Sequence, residues 1–566
     1  MALLLVADAT RPPCRDGRAT RRVTFSPGAL LAALAILPLV VCTAALSADQ
    51  LAPAEYIDPD GIHGPDGIQG ALVLCGGGRL PDAVREKFIE LAGGRQAHLV
   101  IIPTASGDDT VADDGREVEK IWRSREPATI TILHTRVPAE ANDPAFVEPL
   151  KHATGVWITG GRQSQIAAAY SETLVEHELC ELVKRGGVVG GTSAGAACQS
   201  RVMIVRGEIH KTPGLGLIPG AIVDQHFLAR DRKARLFGAL TQHPQLVGLG
   251  IDEGTALIVR GRTLSCLGDS TVTICLAAAG SHEATEVTLK SGETSDLTML
   301  RRAARDRALA PFPPDMPANI EVPHGALVMA GGGTVPAGLV RKFIDLAGGP
   351  EALIIVLPTA SPSPTRTRSR DAELFLRAGA KNVKVLRARR RDDIESPAFL
   401  ESLGRAGGVW FGGGRQWRFV DAYEGTKAID AFQGILRRGG VIGGSSAGAT
   451  IQGELLVRGS PLGNEEMIAA GYERGFAFLP GTAIDQHFAQ RGRFADMSRL
   501  VKNHPQLLGI GLDEDTALIV RGHTAEVVGQ NEVHFFDRTK PTAEGEPDYI
   551  SVGTGGKYDL KARRPE

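Results

Sequence analysis

The sequence has no excess of charge of either sign, since 63 lysines and arginines stand against 65 aspartates and glutamates in 566 residues. A chain without a net field has no general attraction for nucleic acid or for an anionic membrane, so neither partner is predicted. Its composition, 43% hydrophobic and 23% charged, is that of a globular protein with enough apolar residues for buried cores.

Cysteine is scarce as well. Seven cysteines are present, and those that follow the N-terminal apolar run all lie in the first half of the chain: Cys75, Cys180, Cys198, Cys266 and Cys275. An odd number with this distribution gives no disulfide framework. CxxC and HExxH spacings are also absent, so the sequence predicts no metal site and no cofactor.

The N-terminus has the layout of a secretory signal. Arg18, Arg21 and Arg22 precede an apolar run over 29–46, which ends in small residues of the kind that a signal peptidase recognises. We predict a signal peptide over 1–47, an N-terminal segment over 48–69, and a secreted or periplasmic mature chain with no stable membrane insertion. The alternative is an uncleaved anchor, since the run approaches the roughly 20 residues that a membrane span needs.

Two halves of the sequence match almost from end to end. CGGGRLPDAVREKFIELAGG from Cys75 returns as AGGGTVPAGLVRKFIDLAGG from Ala330, and further matches follow in the same order. Self-similarity over so long a period indicates a duplicated domain. We predict a first domain over 70–300, a proline-rich linker over 301–323 that is extended and semi-rigid, and a second domain over 324–566. The two copies are expected to pack together as a pseudo-dimer.

Within each copy, short apolar runs alternate with longer helical patterns. Residues 71–74, 98–102 and 155–158 are predicted strands, and residues 174–183 are a predicted helix. Strands that are continuous apolar runs, alternating with helices, predict a mostly parallel sheet covered on both faces, an open α/β sandwich. Ligands of such sheets collect beyond the carboxyl ends of the strands.

Each copy contains a serine in the setting of a nucleophile elbow. Ser193 and Ser446 both follow an apolar strand, with a glycine two residues before and two residues after. A sharp strand-to-helix turn of this kind exposes the hydroxyl, although a plain glycine-rich turn is an alternative interpretation. The predicted bases are His226 and His487 in the two DQHF motifs, because each ends an apolar run at the edge where the elbow lies.

An oxyanion needs about two preorganised hydrogen-bond donors. The amides of Ala194 and Ala447, directly after the serines, are the first candidates. Gly77 and Gly332, in the GGG motifs, are predicted to provide the second donor, and the glycine pairs at 160–161 and 413–414 are alternatives.

The motifs GGTSAGA, GGRQ, PTAS, GIDEGTALIV, and DQHF followed by spaced arginines, together resemble those of the cyanophycinases and the related dipeptidase E serine peptidases. The resemblance covers nearly all of both copies. It implies a fold like that of the class I glutamine amidotransferases, a flavodoxin-like three-layer sandwich, with serine in place of the usual cysteine nucleophile. It also implies cleavage next to an aspartyl residue. The cyanophycinase substrate is a polyaspartate with β-linked arginines, released as β-Asp-Arg dipeptides.

The resemblance further implies which side chains contact the substrate. Guanidinium groups suit the task, because they bind carboxylates through two parallel hydrogen bonds. The second copy has Asp496 at the position of the third arginine and so lacks one of them. The implied substrate-binding residues are Gln163, Asp224, Gln225, Arg230, Arg232 and Arg235 in the first copy, and Gln416, Asp485, Gln486, Arg491 and Arg493 in the second.

The resemblance places the acid of the triad between serine and histidine, where the second copy has the longer segment. Glu208 is the candidate in the first copy, and Glu465 or its neighbour Glu466 in the second. The dipeptides at 252–253 and 513–514 (Asp-Glu in both) are alternatives if the acid comes from the later strand.

The predicted function is that of a secreted serine exopeptidase that cleaves aspartyl bonds, foremost those of cyanophycin, through an acyl-enzyme. One alternative is a dipeptidase or isoaspartyl peptidase acting on short acidic peptides. Another is a non-catalytic binding or scaffold protein, which the presence of serine and histidine in both copies disfavours. Because the copies differ at the acid and at the third arginine, we expect two pockets of unequal competence.

Overall fold

The computed structural model describes residues 67–566 except 108–109, 281, 364–368, 540 and 542–544. The predicted signal peptide over 1–47 and almost all of the segment over 48–69 lie outside the described residues. Among the described helices, none combines the length and the apolar character that crossing a bilayer requires.

The N-terminal half alternates strands and helices. Its strands are β1 (Ile68–Cys75), β2 (His98–Ile102), β3 (Thr129–Ile132), β4 (Gly155–Ile158), β5 (Val188–Thr192), β6 (Ile204–Val205), β7 (Glu208–Ile209), β8 (Ala221–Gln225), β9 (Val247–Ile251), β10 (Thr255–Gly261), β11 (Thr263–Gly268), β12 (Val272–Leu276), β13 (Thr285–Leu289) and β14 (Thr294–Asp296). Its helices are α1 (Asp82–Ala92), α2 (Val111–Arg123), α3 (Pro138–Ala141), α4 (Glu148–His152), α5 (Gln163–Tyr170), α6 (Leu174–Lys184), α7 (Ala194–Ala197), α8 (Lys233–Gln242) and α9 (Leu297–Arg307).

The large sheet of this half has the strand order β14-β11-β10-β1-β5-β4-β2-β3. The five strands from β1 to β3 in that order run parallel, and β10, β11 and β14 are antiparallel to their neighbours. Leu72 and Leu74 of β1 pack into one apolar cluster with α5, α6 and α7, whereas Val73 and Cys75 pack into another with α1 and α2. Helices therefore cover both faces of the sheet, as the continuous apolar runs predicted.

The C-terminal half has the same alternation. Its strands are β15 (Val322–Ala330), β16 (Leu353–Leu357), β17 (Asn382–Val385), β18 (Gly408–Phe411), β19 (Val441–Ser445), β20 (Gly453–Leu455), β21 (Leu479–Gln486), β22 (Leu508–Leu512), β23 (Thr516–Gly522), β24 (Thr524–Gly529), β25 (Glu532–Asp537), β26 (Ile550–Gly553), β27 (Lys557–Asp559) and β28 (Arg564–Pro565). Its helices are α10 (Ala337–Leu346), α11 (Arg370–Arg377), α12 (Arg391–Ile394), α13 (Pro397–Arg405), α14 (Trp417–Tyr423), α15 (Lys427–Arg437), α16 (Ala447–Thr450) and α17 (Phe494–Asn503).

The large sheet of the C-terminal half has the order β17-β16-β18-β19-β15-β23-β24-β27-β28. Read from the other edge, this order repeats that of the N-terminal half, with β15 in the place of β1 and β19 in the place of β5. Each half also has a smaller sheet, β13-β12-β9-β8 and β20-β21-β22-β25-β26, in which β8 and β9, or β21 and β22, run parallel. The smaller sheets matter for the site, because they hold the histidine strands next to the strands that follow them.

The predicted linker over 301–323 is not extended at its start, which corrects that prediction. Residues up to Arg307 belong to α9, and Arg301 and Arg302 are buried. Arg302 forms an ion pair with Glu424 of the C-terminal half. The charged stretch that precedes the prolines therefore contacts the other half.

Candidate active site

The two serines lie on strained turns. Ser193 follows β5 with φ of 53°, and Ser446 follows β19 with φ of 55°. Non-glycine residues rarely adopt positive φ, and such strain collects at functional sites. The short helix α7 or α16 begins at the next residue, so the amide of Ala194 or Ala447 lies at a helix start and has no acceptor within its own helix.

A histidine and a glutamate complete the same arrangement in both halves. Ser193 Oγ lies 2.9 Å from His226 Nε2, and His226 Nδ1 lies 2.5 Å from Glu253 Oε1. In the C-terminal half the corresponding distances are 3.0 Å from Ser446 to His487 and 2.5 Å from His487 to Glu514. Each half thus contains a Ser–His–Glu series joined by hydrogen bonds, the geometry of an activated serine nucleophile.

The acid of the series is not the residue that we preferred from the sequence. Glu208 lies in the hairpin of β6 and β7 and is exposed, and Glu465 and Glu466 are exposed too. The glutamates of the alternative dipeptides, Glu253 and Glu514, lie beside the histidines. The physical reason is sheet order: β9 pairs in parallel with β8, so the residues after β9 emerge beside the histidine that follows β8.

The glycine loop after β1 aligns the series through three successive carbonyls. Cys75 O accepts the N–H of Ser193 at 2.9 Å, Gly76 O that of His226 at 2.7 Å, and Gly77 O that of Gly254 at 2.9 Å. The loop after β15 does the same: Ala330 O, Gly331 O and Gly332 O accept the N–H groups of Ser446, His487 and Asp515 at 2.9, 2.8 and 3.0 Å.

Gly77 and Gly332, the predicted second oxyanion donors, lie directly against the histidine rings. Both have positive φ, 106° and 116°, and a Cβ on either would collide with the imidazole of His226 or His487. The glycines of the alternative pairs border the serines. A Cβ on Gly160 would lie 3.4 Å from Ser193 Cβ, and one on Gly413 would lie 3.6 Å from Ser446 Cβ.

The glutamines of the predicted site are buried near it. Gln163 Nε2 donates to the carbonyl of Ile204, and Gln416 Nε2 donates to that of Val457, both at 2.9 Å. Gln486 Oε1 accepts from Ser446 Oγ at 3.4 Å, and Gln225 Oε1 is buried without a hydrogen-bond partner among the described residues. Of these four glutamines, Gln486 is the one with a hydrogen bond to a nucleophile among the described residues.

Asp224 and Asp485 have no exposed surface, so the prediction that they contact substrate is wrong. Asp224 is held by Arg235, through two hydrogen bonds, and by Arg232 at 3.5 Å. Each aspartate lies at the end of a buried strand, where arginines neutralise it. Arg235, predicted to contact substrate, is thus also a partner of this carboxylate.

In the C-terminal half, a different arginine helps to neutralise the buried aspartate. Asp485 pairs with Arg493 at 2.6 Å and with Arg458 at 2.9 Å, and Arg458 also contacts Asp496 at 2.9 Å. The aspartate at 496 is therefore compensated, because Arg458 comes from the loop after β20 to do what Arg235 does in the first half. Sequence comparison of aligned positions missed this exchange.

Two arginines of the predicted set remain exposed, Arg230 and Arg491. Each lies close enough to its histidine to lower that histidine's pKa by charge repulsion. The larger cause is burial, which lowers the pKa of both His226 and His487 below the ordinary 6.5, whereas the hydrogen bond that each imidazole donates to its glutamate opposes the shift. Both imidazoles are thus neutral at neutral pH and able to accept a proton.

Known proteins resemble both halves. The profile described as Peptidase family S51 matches residues 72–267 and 327–528. A cyanophycinase of Geminocystis herdmanii is 35% identical over 210 residues, which are 35% of this chain and 76% of that protein. A cyanophycinase of Synechococcus elongatus is 35% identical over 240 residues, 39% of this chain and 73% of that protein.

Solved structures give weaker matches. A peptidase from an acI-B1 Actinobacterium is 21% identical, and the match covers 43% of this chain and 98% of that chain with a TM-score of 0.32. A putative peptidase E protein from Listeria monocytogenes is 14% identical over 37% of this chain and 100% of that chain, with a TM-score of 0.29.

Proposed function

This chain belongs to peptidase family S51 and is a serine-type peptidase, and from that membership we propose that it is a secreted exopeptidase that hydrolyses cyanophycin to β-Asp-Arg dipeptides. We include in the proposal that its halves are tandem copies of a class I glutamine amidotransferase-like sandwich, each with a working site. The repeated strand order and the two regions that match the family support this duplication.

The observation that carries the proposal is the equality of the two Ser–His–Glu series. Their hydrogen-bond lengths agree to within 0.1 Å, at 2.9 and 2.5 Å in one half and 3.0 and 2.5 Å in the other. A half that had become purely structural would not need to keep this geometry. The expectation of unequal competence therefore loses its two grounds, since the acid is present in both halves and the missing arginine is replaced.

The proposed reaction follows from the geometry. The neutral Nε2 of the histidine accepts the proton of the serine hydroxyl as the serine oxygen attacks the aspartyl carbonyl. The glutamate keeps the other imidazole proton on Nδ1 and stabilises the imidazolium. The histidine then gives its proton to the leaving amine, and water, activated by the same histidine, releases the acyl-enzyme.

The oxyanion donor and the substrate ligand are assigned in the same proposal. The amide of Ala194 or Ala447 points from a helix start, and the loop at Gly160 or Gly413 borders the serine on another side, which supports these as the two donor positions. Arg230 and Arg491, exposed beside the histidines, are the groups that would bind a carboxylate of the aspartyl substrate.

Single and double replacements of the serines test the proposal. Ser193→Ala and Ser446→Ala should each lower but not abolish release of β-Asp-Arg from cyanophycin, and the double variant should lose it. Ser124→Ala, which removes an exposed hydroxyl at a helix end, is the control. Cyanophycin turnover by the double variant would overturn the mechanism. Cleavage of Asp-Xaa dipeptides with cyanophycin untouched would show that short acidic peptides, and not cyanophycin, are the substrate.

Export predicts Ala48 as the first residue of the mature chain, which N-terminal sequencing would test.

A further inference from the structure

A cavity of about 580 Å³ adjoins the nucleophile of the C-terminal half. On one side it is lined by Gly412, Gly413 and Ser445, the last of which directly precedes Ser446. On the other side the first turn of α11 contributes Arg370 and Asp371. A group bound in this cavity would therefore lie beside the bond that Ser446 attacks.

Asp371 is a carboxylate without a partner in this wall. Among the described residues, none donates a hydrogen bond to it or forms an ion pair with it. Burial raises the pKa of Asp371, because the carboxylate has lost hydration and few interactions in the protein replace it. Its Oδ2 lies 2.8 Å from the position that a Cβ on Gly412 would take. Only a residue without a side chain at 412 leaves the carboxylate room to reach the loop before the nucleophile.

The N-terminal half lacks both members of this pair. In the N-terminal half, Trp122 of α2 packs on Phe88 and Trp157, with ring centroids 4.8–5.0 Å apart. In the C-terminal half, Phe375 of α11 packs in the same way on Phe343 and Trp410, with centroids 5.1–5.5 Å apart. The two helices therefore occupy the same place, and the residue one turn before the ring is Val118 in one and Asp371 in the other. Val118 packs in the apolar cluster.

The second difference is at the loop. After β4 the chain continues with Thr159, which is buried, and after β18 it continues with Gly412. The N-terminal half thus has a valine and a threonine where the C-terminal half has an aspartate and the glycine that makes room for it. The two changes belong together, since a threonine side chain at 412 would displace the carboxylate.

We propose that Asp371 and Gly412 form a subsite for a cationic group of the substrate, which the described residues of the N-terminal half do not form. The same cavity is lined by Arg370 and Arg387, so the ligand that fits carries a carboxylate as well as a cation. An arginyl branch linked through its α-amino group has both, a guanidinium and a free α-carboxylate. A guanidinium would bind Asp371 through charge-assisted hydrogen bonds, and the arginines would attract the carboxylate. The subsite rests on the proposed function, because it assigns part of the substrate of Ser446.

Kinetics at the isolated C-terminal site test the subsite. In the Ser193→Ala chain only Ser446 can react, and short oligomers of β-Asp-Arg can be compared with oligomers in which citrulline replaces arginine. Citrulline has nearly the same shape without the charge. The kcat/KM ratio should favour arginine by about tenfold or more, and Asp371→Asn should bring the ratio close to one. In the Ser446→Ala chain, the same substitution should leave the ratio of the N-terminal site unchanged.

Glu373→Gln is the matched control. It removes the same charge from the first turn of the same helix, but from a side chain that pairs with Arg377 at 3.6 Å and does not line the cavity. It should leave the preference for arginine as it is. An equal effect of both substitutions would overturn the subsite in favour of a general effect of charge on the helix.

Binding measurements separate this inference from the proposed function. In the Ser193→Ala, Ser446→Ala chain no turnover occurs, and calorimetric titration with the β-Asp-Arg dipeptide and its citrulline counterpart reports binding alone. Loss of the preference for arginine at one of two sites in the Asp371→Asn variant supports the subsite even if Ser446 proves inactive. An unchanged preference in both assays overturns it, whether or not the serines are catalytic.

Discussion

At the scale of single residues, the proposed mechanism depends on the position of the histidine between two partners. The imidazoles of His226 and His487 are largely buried, with 9% and 14% of the side chain exposed, and each is hydrogen-bonded to a serine on one side and a glutamate on the other. Burial lowers the pKa of each imidazole and the glutamate raises it, with burial the larger cause. The resulting base stays neutral to a lower pH than a free histidine.

The pH profile of Glu253→Gln tests this balance. The histidine must be neutral to accept a proton, so kcat/KM falls as the pH drops through its pKa, and we expect a midpoint below 6.5. Glutamine cannot stabilise the imidazolium, so the midpoint should move to lower pH and the plateau should fall by about a hundredfold or more. The measurement is kcat/KM against pH in the Ser446→Ala chain. A midpoint that moves upward, or an unchanged plateau, would contradict the role of Glu253.

At the scale of elements, the sequence predicted the strands and missed how their ends meet. The runs at 98–102 and 155–158 became β2 and β4 with those bounds, because a continuous apolar run needs only local information to be recognised. Which loop lies beside the histidine depends on the pairing of β8 with β9 in a separate sheet, which no local pattern contains. The acid was therefore sought between serine and histidine, whereas Glu253 follows β9.

The glycine loop after β15 is the element that contacts the serine and the histidine of the proposed triad. Gly332→Ala, studied in the Ser193→Ala chain, should push the imidazole of His487 away from Ser446, because a Cβ there collides with the ring and φ is 116°. We expect kcat/KM to fall by about a hundredfold or more, with a smaller effect on the melting temperature than on activity.

Gly338→Ala provides the comparison for that experiment. Gly338 lies in α10, and a Cβ on it would meet nothing within 4 Å. Alanine in a helix is about 0.5–1 kcal/mol more favourable than glycine, so this variant should be as active as the parent and no less stable. If both glycine variants kept full activity, the loop would not be what positions the histidine.

At the scale of the whole molecule, buried charges join the two halves. Arg262 of the N-terminal half forms ion pairs with Asp296 of its own half and Asp421 of the other, and donates to Tyr472 Oη at 2.7 Å. Its guanidinium also lies 4.3 Å from the ring centre of Trp417, the residue after Gln416. The N-terminal half thus supports the helix that begins at the C-terminal site. The repeat predicted two halves, but this contact joins one copy to the other through Arg262, where the second copy has His523. Comparison of the copies could therefore not predict it.

Removal of Arg262 should therefore destabilise the chain strongly. Arg262→Ala leaves the carboxylates of Asp296 and Asp421, both nearly inaccessible to water, without their main partner, and breaking a buried pair in this way costs about 3–5 kcal/mol. Lys342→Ala removes an exposed cation paired with Glu526 at 2.7 Å, for which about 0–1 kcal/mol is expected. Thermal and denaturant unfolding of the two variants and the parent chain measures the difference in stability.

Activity of the Arg262→Ala chain, recorded below its unfolding temperature, should fall more at Ser446 than at Ser193, because Trp417 loses its support beside Gln416. Equal stability of the two variants would show that the halves are held together by other contacts.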